Sequence, residues 1–321
     1  MNKIRFFDGG MGTMLQAAGL LGPGALPEPL NLTHPEEIAA IHQAYADAGA
    51  EFISTNTFGA NGLKFGIVEE LVQAATALVR RTGKKVVLDI GPLGKLLQPM
   101  GELAFDDAYD LFARTIRAGA PGADLVLIET MSDTLELKAA VLAAKENCDL
   151  PVFTTMIMDE KGRLLTGADI ETAVTMLEGL GVDALGFNCS MGPDQMLPLV
   201  AQLRELTCLP IIVNPNAGLP ESVNGETVYN VDPEAFAEKM EAIAKLGQLS
   251  GWLLRHHSGA YCKDDPAGEG YSCIGAHPGA PHAGEQLFPN GGAGQKAGHC
   301  RRADQPHRQK VDESRPAGKG Y

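Results

Sequence analysis

Seven short apolar runs, most of them followed by a longer stretch of helical periodicity, constrain this chain more than any other feature. The runs predict strands at Ile4–Phe7, Glu51–Thr55, Lys85–Leu88, Asp124–Ile128, Pro151–Met158, Ala184–Phe187 and Pro210–Val213. Helical patterns lie between them, at Pro35–Ala48, Phe105–Ala118, Asp133–Lys145, Ile170–Leu180 and Pro233–Leu246. Thr33, Ser132 and Asp232 stand where N-caps are expected. Regular alternation demands parallel strands, because each helix must return the chain to the same end of the sheet. Seven such units predict an α/β fold of the TIM (β/α)8-barrel type, lacking its eighth strand.

The strand ends are polar where the strands are not. They read Asp8, Asn56-Thr57, Asp89, Glu129-Thr130, Asn188-Cys189 and Asn214. In such a barrel these ends share one rim, so together they mark a site. The sharpest of them is Gly186-Phe187-Asn188-Cys189-Ser190-Met191-Gly192-Pro193, where an apolar run stops at a polar residue and a thiol. Cys189 is a candidate zinc ligand or nucleophile; its plain alternative is a small buried hydrophobe. After the first strand comes Asp8-Gly9-Gly10-Met11-Gly12-Thr13, whose glycines allow close backbone approach and whose amides can cradle an anion. The spacing is not GxGxxG and no acidic residue follows at the dinucleotide distance, which excludes NAD. The loop could instead hold a zwitterion, carboxylate on the Gly9 and Gly10 amides and ammonium on Asp8, with Glu129 as a second carboxylate. The alternatives are a bare glycine turn and a strand-end ion pair. No strand end carries lysine, which disfavours a Schiff-base lyase or aldolase.

A formal charge of −14 argues against nucleic acid or an anionic membrane as partner. The first residues show no apolar signal region, no run approaches membrane-spanning length, and the six cysteines form no CxxC; these features lead to the expectation of a cytoplasmic protein. The composition breaks near Gly247. Residues 1–247 hold 17 Lys and Arg against 33 Asp and Glu, whereas residues 248–321 hold 9 against 7. The latter segment also carries 13 Gly, 6 Pro and 6 of the 8 His, with almost no β-branched aliphatics, so it cannot bury a core. The expected organisation is a barrel over 1–247 and a disordered tail over 248–321.

Several motifs in order resemble the homocysteine S-methyltransferases, most of all the N-terminal homocysteine-binding module of cobalamin-dependent methionine synthases. They are Phe7-Asp8-Gly9-Gly10-Met11-Gly12-Thr13, Ser54-Thr55-Asn56-Thr57-Phe58-Gly59-Ala60, Asp89-Ile90-Gly91-Pro92, Ile128-Glu129-Thr130 and Gly186-Phe187-Asn188-Cys189-Ser190. Leu135-Glu136-Leu137-Lys138-Ala139-Ala140 and Asn214-Pro215-Asn216-Ala217-Gly218 agree in register, while Gly62–Lys84 is shorter than is usual there. The resemblance implies methyl transfer to the homocysteine thiol, giving methionine, with Zn²⁺ held by three cysteine thiolates and the substrate sulfur in the fourth position. It assigns Cys189 to the zinc as first ligand and catalytic thiolate. It assigns Asp8, Gly9, Gly10, Glu129 and Asn188 to the substrate. Methylcobalamin or methyltetrahydrofolate, acting through other modules, is among the methyl donors it allows.

The two remaining zinc ligands should be an adjacent Cys-Cys in Gly-Gly-Cys-Cys-Gly at the end of an eighth strand, and this chain contains no Cys-Cys. In its place stands Gly251-Trp252-Leu253-Leu254-Arg255-His256-His257-Ser258-Gly259-Ala260-Tyr261-Cys262-Lys263. Codons allowed for that segment, read one base later, encode Gly-Gly-Cys-Cys-Gly-Thr-Thr-Pro-Glu-His-Ile-Ala-Lys. The reading frame is therefore expected to slip near Gly247–Ser250, which accounts for the composition of everything after it. Two readings follow: a methyltransferase impaired by loss of its zinc pair, or a non-catalytic remnant that binds homocysteine weakly.

Overall fold

The computed structural model describes residues 4–22, 24–216, 220–223, 226–229, 233–246, 252–255, 260–264 and 271–275. In chain order the elements are β1 (Arg5–Phe7), α1 (Met11–Ala17), α2 (Leu30–Thr33), α3 (Pro35–Asp47), β2 (Phe52–Ser54), α4 (Val68–Arg80) and β3 (Lys85–Ile90). Then come α5 (Phe105–Gly119), β4 (Leu125–Met131), α6 (Thr134–Asn147), β5 (Val152–Met156), α7 (Ile170–Gly179), β6 (Ala184–Asn188), α8 (Pro193–Leu206) and β7 (Ile211–Asn214). The last are β8 (Pro220–Val223), β9 (Glu226–Tyr229), α9 (Pro233–Lys245), β10 (Trp252–Arg255), β11 (Ala260–Asp264) and β12 (Tyr271–Gly275).

All seven predicted strands form, and they pair in parallel in the order β1-β2-β3-β4-β5-β6-β7. The gap expected at the eighth position is bridged by β10, with Arg5–Phe7 beside Leu253–Arg255 and Ile211–Val213 beside Trp252–Leu254. Parallel pairing uses main-chain groups that any sequence supplies. The closure therefore leaves β1 and β7 without open edges, contrary to the expectation from a missing strand. It supplies no cysteine pair. Two antiparallel pairs, β8 with β9 and β11 with β12, lie outside the barrel. The remainder of the 248–321 tail is outside the described residues.

Side-chain alternation on the strands separates two apolar layers. Phe7, Phe52, Val87, Leu125, Leu127, Phe153, Ala184 and Ile212 fill the barrel interior, where the Phe7 and Phe52 rings stack at 5.0 Å. The opposite strand faces, with Leu88, Ile90, Val126, Ile128, Phe187 and Val213, pack against the helices. Two residues past an interior Val87, Leu127 or Ile212 comes Asp89, Glu129 or Asn214, and Asn188 follows Gly186 in the same way. Period two thus turns the polar strand ends inward over the core. At Gly186 an added Cβ would sit 1.8 Å from the Ile212 carbonyl oxygen, so only glycine fits there.

The helices follow their sequence signals with some corrections at the caps. Asp133, not Ser132, caps α6 and accepts from the Leu135 amide; Asp169 caps α7 through Thr172. Thr33 does not cap α3. It ends α2, bonding the Pro29 carbonyl and His34 Nδ1, and His34 takes the cap position without a side-chain bond. Pro35 at the first helical turn needs no amide partner, so α3 starts without one. Asp232 lies outside the described residues. Helix α4 runs a full 13 residues with Glu69 and Glu70 in its first turn and Arg80 in its last, so any shortening of Gly62–Lys84 falls on its approach. Among the described residues no helix is long and apolar enough to cross a membrane.

Candidate functional site

The rim at the C-terminal ends of the strands encloses an open cavity of about 380 Å³. Every site residue singled out in the sequence, Asp8, Gly9, Gly10, Glu129, Asn188 and Cys189, lines it. Strands β1, β4 and β6 bring them together from positions up to 181 residues apart in sequence. Asp89, Thr130 and Asn214 join them from β3, β4 and β7, with Asn56, Phe58 and Asn216 from the following loops and Pro27 from the β1–α3 connection.

Asp8 is fixed before any ligand arrives. Its Oδ2 accepts from the Ser54 amide and its Oδ1 from the Ser54 hydroxyl, both at 2.9 Å, which ties β1 to β2 at the rim. Beside it, the Gly10 carbonyl accepts from Thr13 Oγ1 at 3.0 Å and from the Tyr45 hydroxyl at 3.2 Å. These bonds hold the glycine loop through its carbonyl at the cavity wall.

Asn188 acts as a bracket. Its Oδ1 accepts from the Thr130 amide at 3.1 Å, and its Nδ2 donates to Thr130 Oγ1 at 2.7 Å and to Cys189 Sγ at 3.5 Å. Both Nδ2 hydrogens are engaged, so a direct substrate contact from Asn188 would fall to the second lone pair of Oδ1. The bracket spans strained backbone: Thr130, Cys189 and Ser190 have φ of 66°, 54° and 55°. Left-handed conformations at residues with a Cβ cost about 1–3 kcal/mol each and persist where the surroundings over-determine them. Around Cys189 those surroundings are the Asn214 carbonyl, which accepts from its amide at 2.9 Å, and the Met158 carbonyl, which takes the Ser190 hydroxyl at 3.2 Å.

Three carboxylates (Asp8, Asp89 and Glu129) line the cavity. Such groups suit a cationic partner such as an ammonium. Asn214 adds a second signature. It is 5% exposed, and neither atom of its side-chain amide has a hydrogen-bond partner among the described residues. By contrast, the Asn56 amide is consumed internally: Nδ2 donates to the Pro27 carbonyl at 2.8 Å and to Asn31 Oδ1 at 3.0 Å, which fastens the β1–α3 connection over the rim.

Buried titratable groups outside the cavity escaped the sequence reading, because helical position alone does not reveal burial of a polar side chain. Glu136 on α6 accepts from the Leu93 amide at 2.7 Å, and burial, helped by the Asp133 charge, pushes its carboxyl up to about 7. Glu28 accepts from the Gly59 amide at 2.6 Å and is likewise pushed up by burial. His42, within α3, is held down to about 4 by burial. Phe58 and Pro27 were also missed as cavity walls, since loop packing places them.

The three-thiolate zinc site implied by the sequence resemblance is not assembled by these residues. Among the described residues no three His, Cys, Asp or Glu side chains converge as metal ligands. Cys189 alone does not make a zinc centre, and no catalytic step is derived through one.

Comparison with known proteins gives the site its context. The chain is 36% identical over 274 residues to methionine synthase of Mycobacterium tuberculosis, covering 76% of this chain and 23% of that protein. The methionine synthase of Mycobacterium leprae matches at 36%, over 76% and 22%. The chain thus spans less than a quarter of the length of these curated relatives. Among solved structures, the homocysteine methyltransferase MmuM from Escherichia coli shares the fold, with a TM-score of 0.66 at 21% identity over 78% of this chain and 91% of that one in its oxidised form. Its metallated form gives 0.66 at 20%, with the same coverage. The homocysteine S-methyltransferase family profile matches residues 5–266, more than half of the sequence. This chain belongs to the homocysteine S-methyltransferase family.

Proposed function

We propose that the barrel binds L-homocysteine and derives from an enzyme that methylates the homocysteine thiol to give methionine. The observation that carries this reading is the cavity itself: three carboxylates and a thiol on one rim, in a chain matched to the family over residues 5–266. The ammonium end is assigned to Glu129 and Asp8, the carboxylate to the Gly9 and Gly10 amides, and the sulfur end to the neighbourhood of Cys189. Asn188 ties the Thr130 amide and hydroxyl to the Cys189 thiol beside that path.

Zinc dependence belongs to the parent enzyme. In it Cys189 is one of three thiolate ligands, and the other two are the Cys-Cys that a one-base shift recovers from Gly251–Lys263. As written, the chain has leucines at 253 and 254 in β10, so it binds homocysteine without methyl transfer. Methylcobalamin and methyltetrahydrofolate reach the parent's site through further modules, in the cytoplasm.

The test is zinc content after dialysis, measured for the chain as given and for a version with the frame restored near Gly247–Ser250. About one tight zinc per chain in the restored protein alone, with methyl transfer regained, is the expected result. A tight zinc in the chain as given, abolished by Cys189→Ala, would overturn the account of residues 248–321.

A further inference from the structure

Asn214 is the one cavity residue whose buried amide does nothing for the fold among the described residues. It ends β7 directly beside Asn188 of β6, and its carbonyl accepts from the Cys189 amide at 2.9 Å. Its side chain follows Ile212 at interior parity, lines the cavity and is 5% exposed, yet both Oδ1 and Nδ2 lack partners. Every neighbour treated in the same detail is spent: Asp8 on Ser54, Asn188 on Thr130 and Cys189, Asn56 on Pro27 and Asn31. A buried amide without partners is unfavourable to folding and is retained where a ligand completes it.

We infer that Asn214 is a specificity-determining residue, its amide completed by the heteroatom at the end of the substrate's side chain. This rests on the homocysteine reading above. An amide suits that end because it offers both roles at once. Oδ1 accepts from a thiol or hydroxyl hydrogen, and Nδ2 donates to the same heteroatom, including a thiolate once the proton has left. Asn214 pairs with Asn188, beside Cys189, where the sulfur end is assigned. A site built to hydrogen-bond a substrate heteroatom rejects an analogue that lacks it, because the protein's polar atoms are then left unpaired.

The experiment is calorimetric binding of L-homocysteine, L-homoserine and L-norvaline to the full chain, treated with a chelator so that no metal contributes. Homoserine keeps a hydrogen-bonding heteroatom, whereas norvaline replaces the thiol with a methyl group. The expected result is homoserine bound at least about tenfold more tightly than norvaline, with the preference lost or inverted in Asn214→Leu and lost in Asn214→Ala. Since the free protein gains nothing from the amide, both variants should melt no lower than the unsubstituted chain. Equal homoserine and norvaline affinities, with homocysteine bound, overturn this contact and leave the substrate reading intact. A preference that survives in both variants does the same. Binding of none of the three amino acids removes the substrate reading and this contact with it.

Discussion

Replacing Glu136 with glutamine should make the protein more stable at alkaline pH and leave it unchanged at acid pH. Glu136 is 4% exposed, one oxygen accepts from the Leu93 amide, and its carboxyl titrates at about 7 against an ordinary 4.5. Burial is the first cause and the Asp133 charge adds to it, while the Leu93 amide opposes them. The sign follows from proton binding. Between pH 4.5 and 7 the folded state holds a proton that the unfolded state has released, so stability falls as pH rises through this window and is flat above it. At 1.36 kcal/mol per tenfold change, the ionised carboxylate costs at most roughly 3 kcal/mol at pH 8. Glutamine keeps an acceptor oxygen for the Leu93 amide and cannot ionise. Urea denaturation and thermal melts at pH 5, 6, 7 and 8 would follow the difference. It should be near zero at pH 5 and reach roughly 2–3 kcal/mol in favour of Glu136→Gln at pH 8, or about 5–10 °C in melting temperature. Parallel curves across the range, or a variant weaker at pH 8, would show that the carboxylate has an ionic partner and would refute the reasoning.

Three further outcomes can be checked independently. His42→Leu should remove a dependence of opposite sign: with its imidazole at about 4 against 6.5, the native protein loses stability as pH falls through that interval, and the variant should not. Both ring nitrogens are buried without partners, so the variant should also gain about 1–2 kcal/mol at pH 7 in urea denaturation. Gly186→Ala should abolish soluble folded protein or cost more than about 3 kcal/mol, since its Cβ meets the Ile212 carbonyl at 1.8 Å; a normal circular dichroism melt would refute the fit. Asn188→Ala should free the strained Thr130 backbone and cost roughly 2–4 kcal/mol in urea denaturation, and an unchanged midpoint would mean that Thr130 holds its φ of 66° unaided.

Much of the site was legible because a parallel barrel converts strand order into a rim. Once the seven apolar runs are identified as strands, the residues that end them must meet, and Asp8, Glu129, Asn188 and Cys189 do meet around one cavity. Period-two alternation, also written in the sequence, turns Glu129 and Asn188 inward, whereas Asp8 and Cys189 reach the cavity from the first positions beyond their strands. The β8–β9 hairpin was legible too, since Asn224-Gly225 between two β-rich runs is a strong hairpin signal that the strand count passed over. The caps of α3 and α6 each fell one residue from the expected place, because Thr33 was taken into α2 and the side chain of Asp133 reached the amide first.

Sequence alone determined the strand–helix alternation, the inward parity of the polar strand ends and the absence of a Cys-Cys pair, since these depend only on residue type and order. Tertiary structure decided what each polar group does. Asp8 is committed to β2 and Asn188 to β4 across β5, Glu136 and His42 are buried, Thr130, Cys189 and Ser190 are held in strained conformations, and Asn214 is left with an unmatched amide. The physical reason is that hydrogen-bond partnership and desolvation are set by neighbours distant in the chain. The closure of the barrel by β10 belongs to the same class, because backbone pairing accepts nearly any side chains while metal ligation requires particular ones.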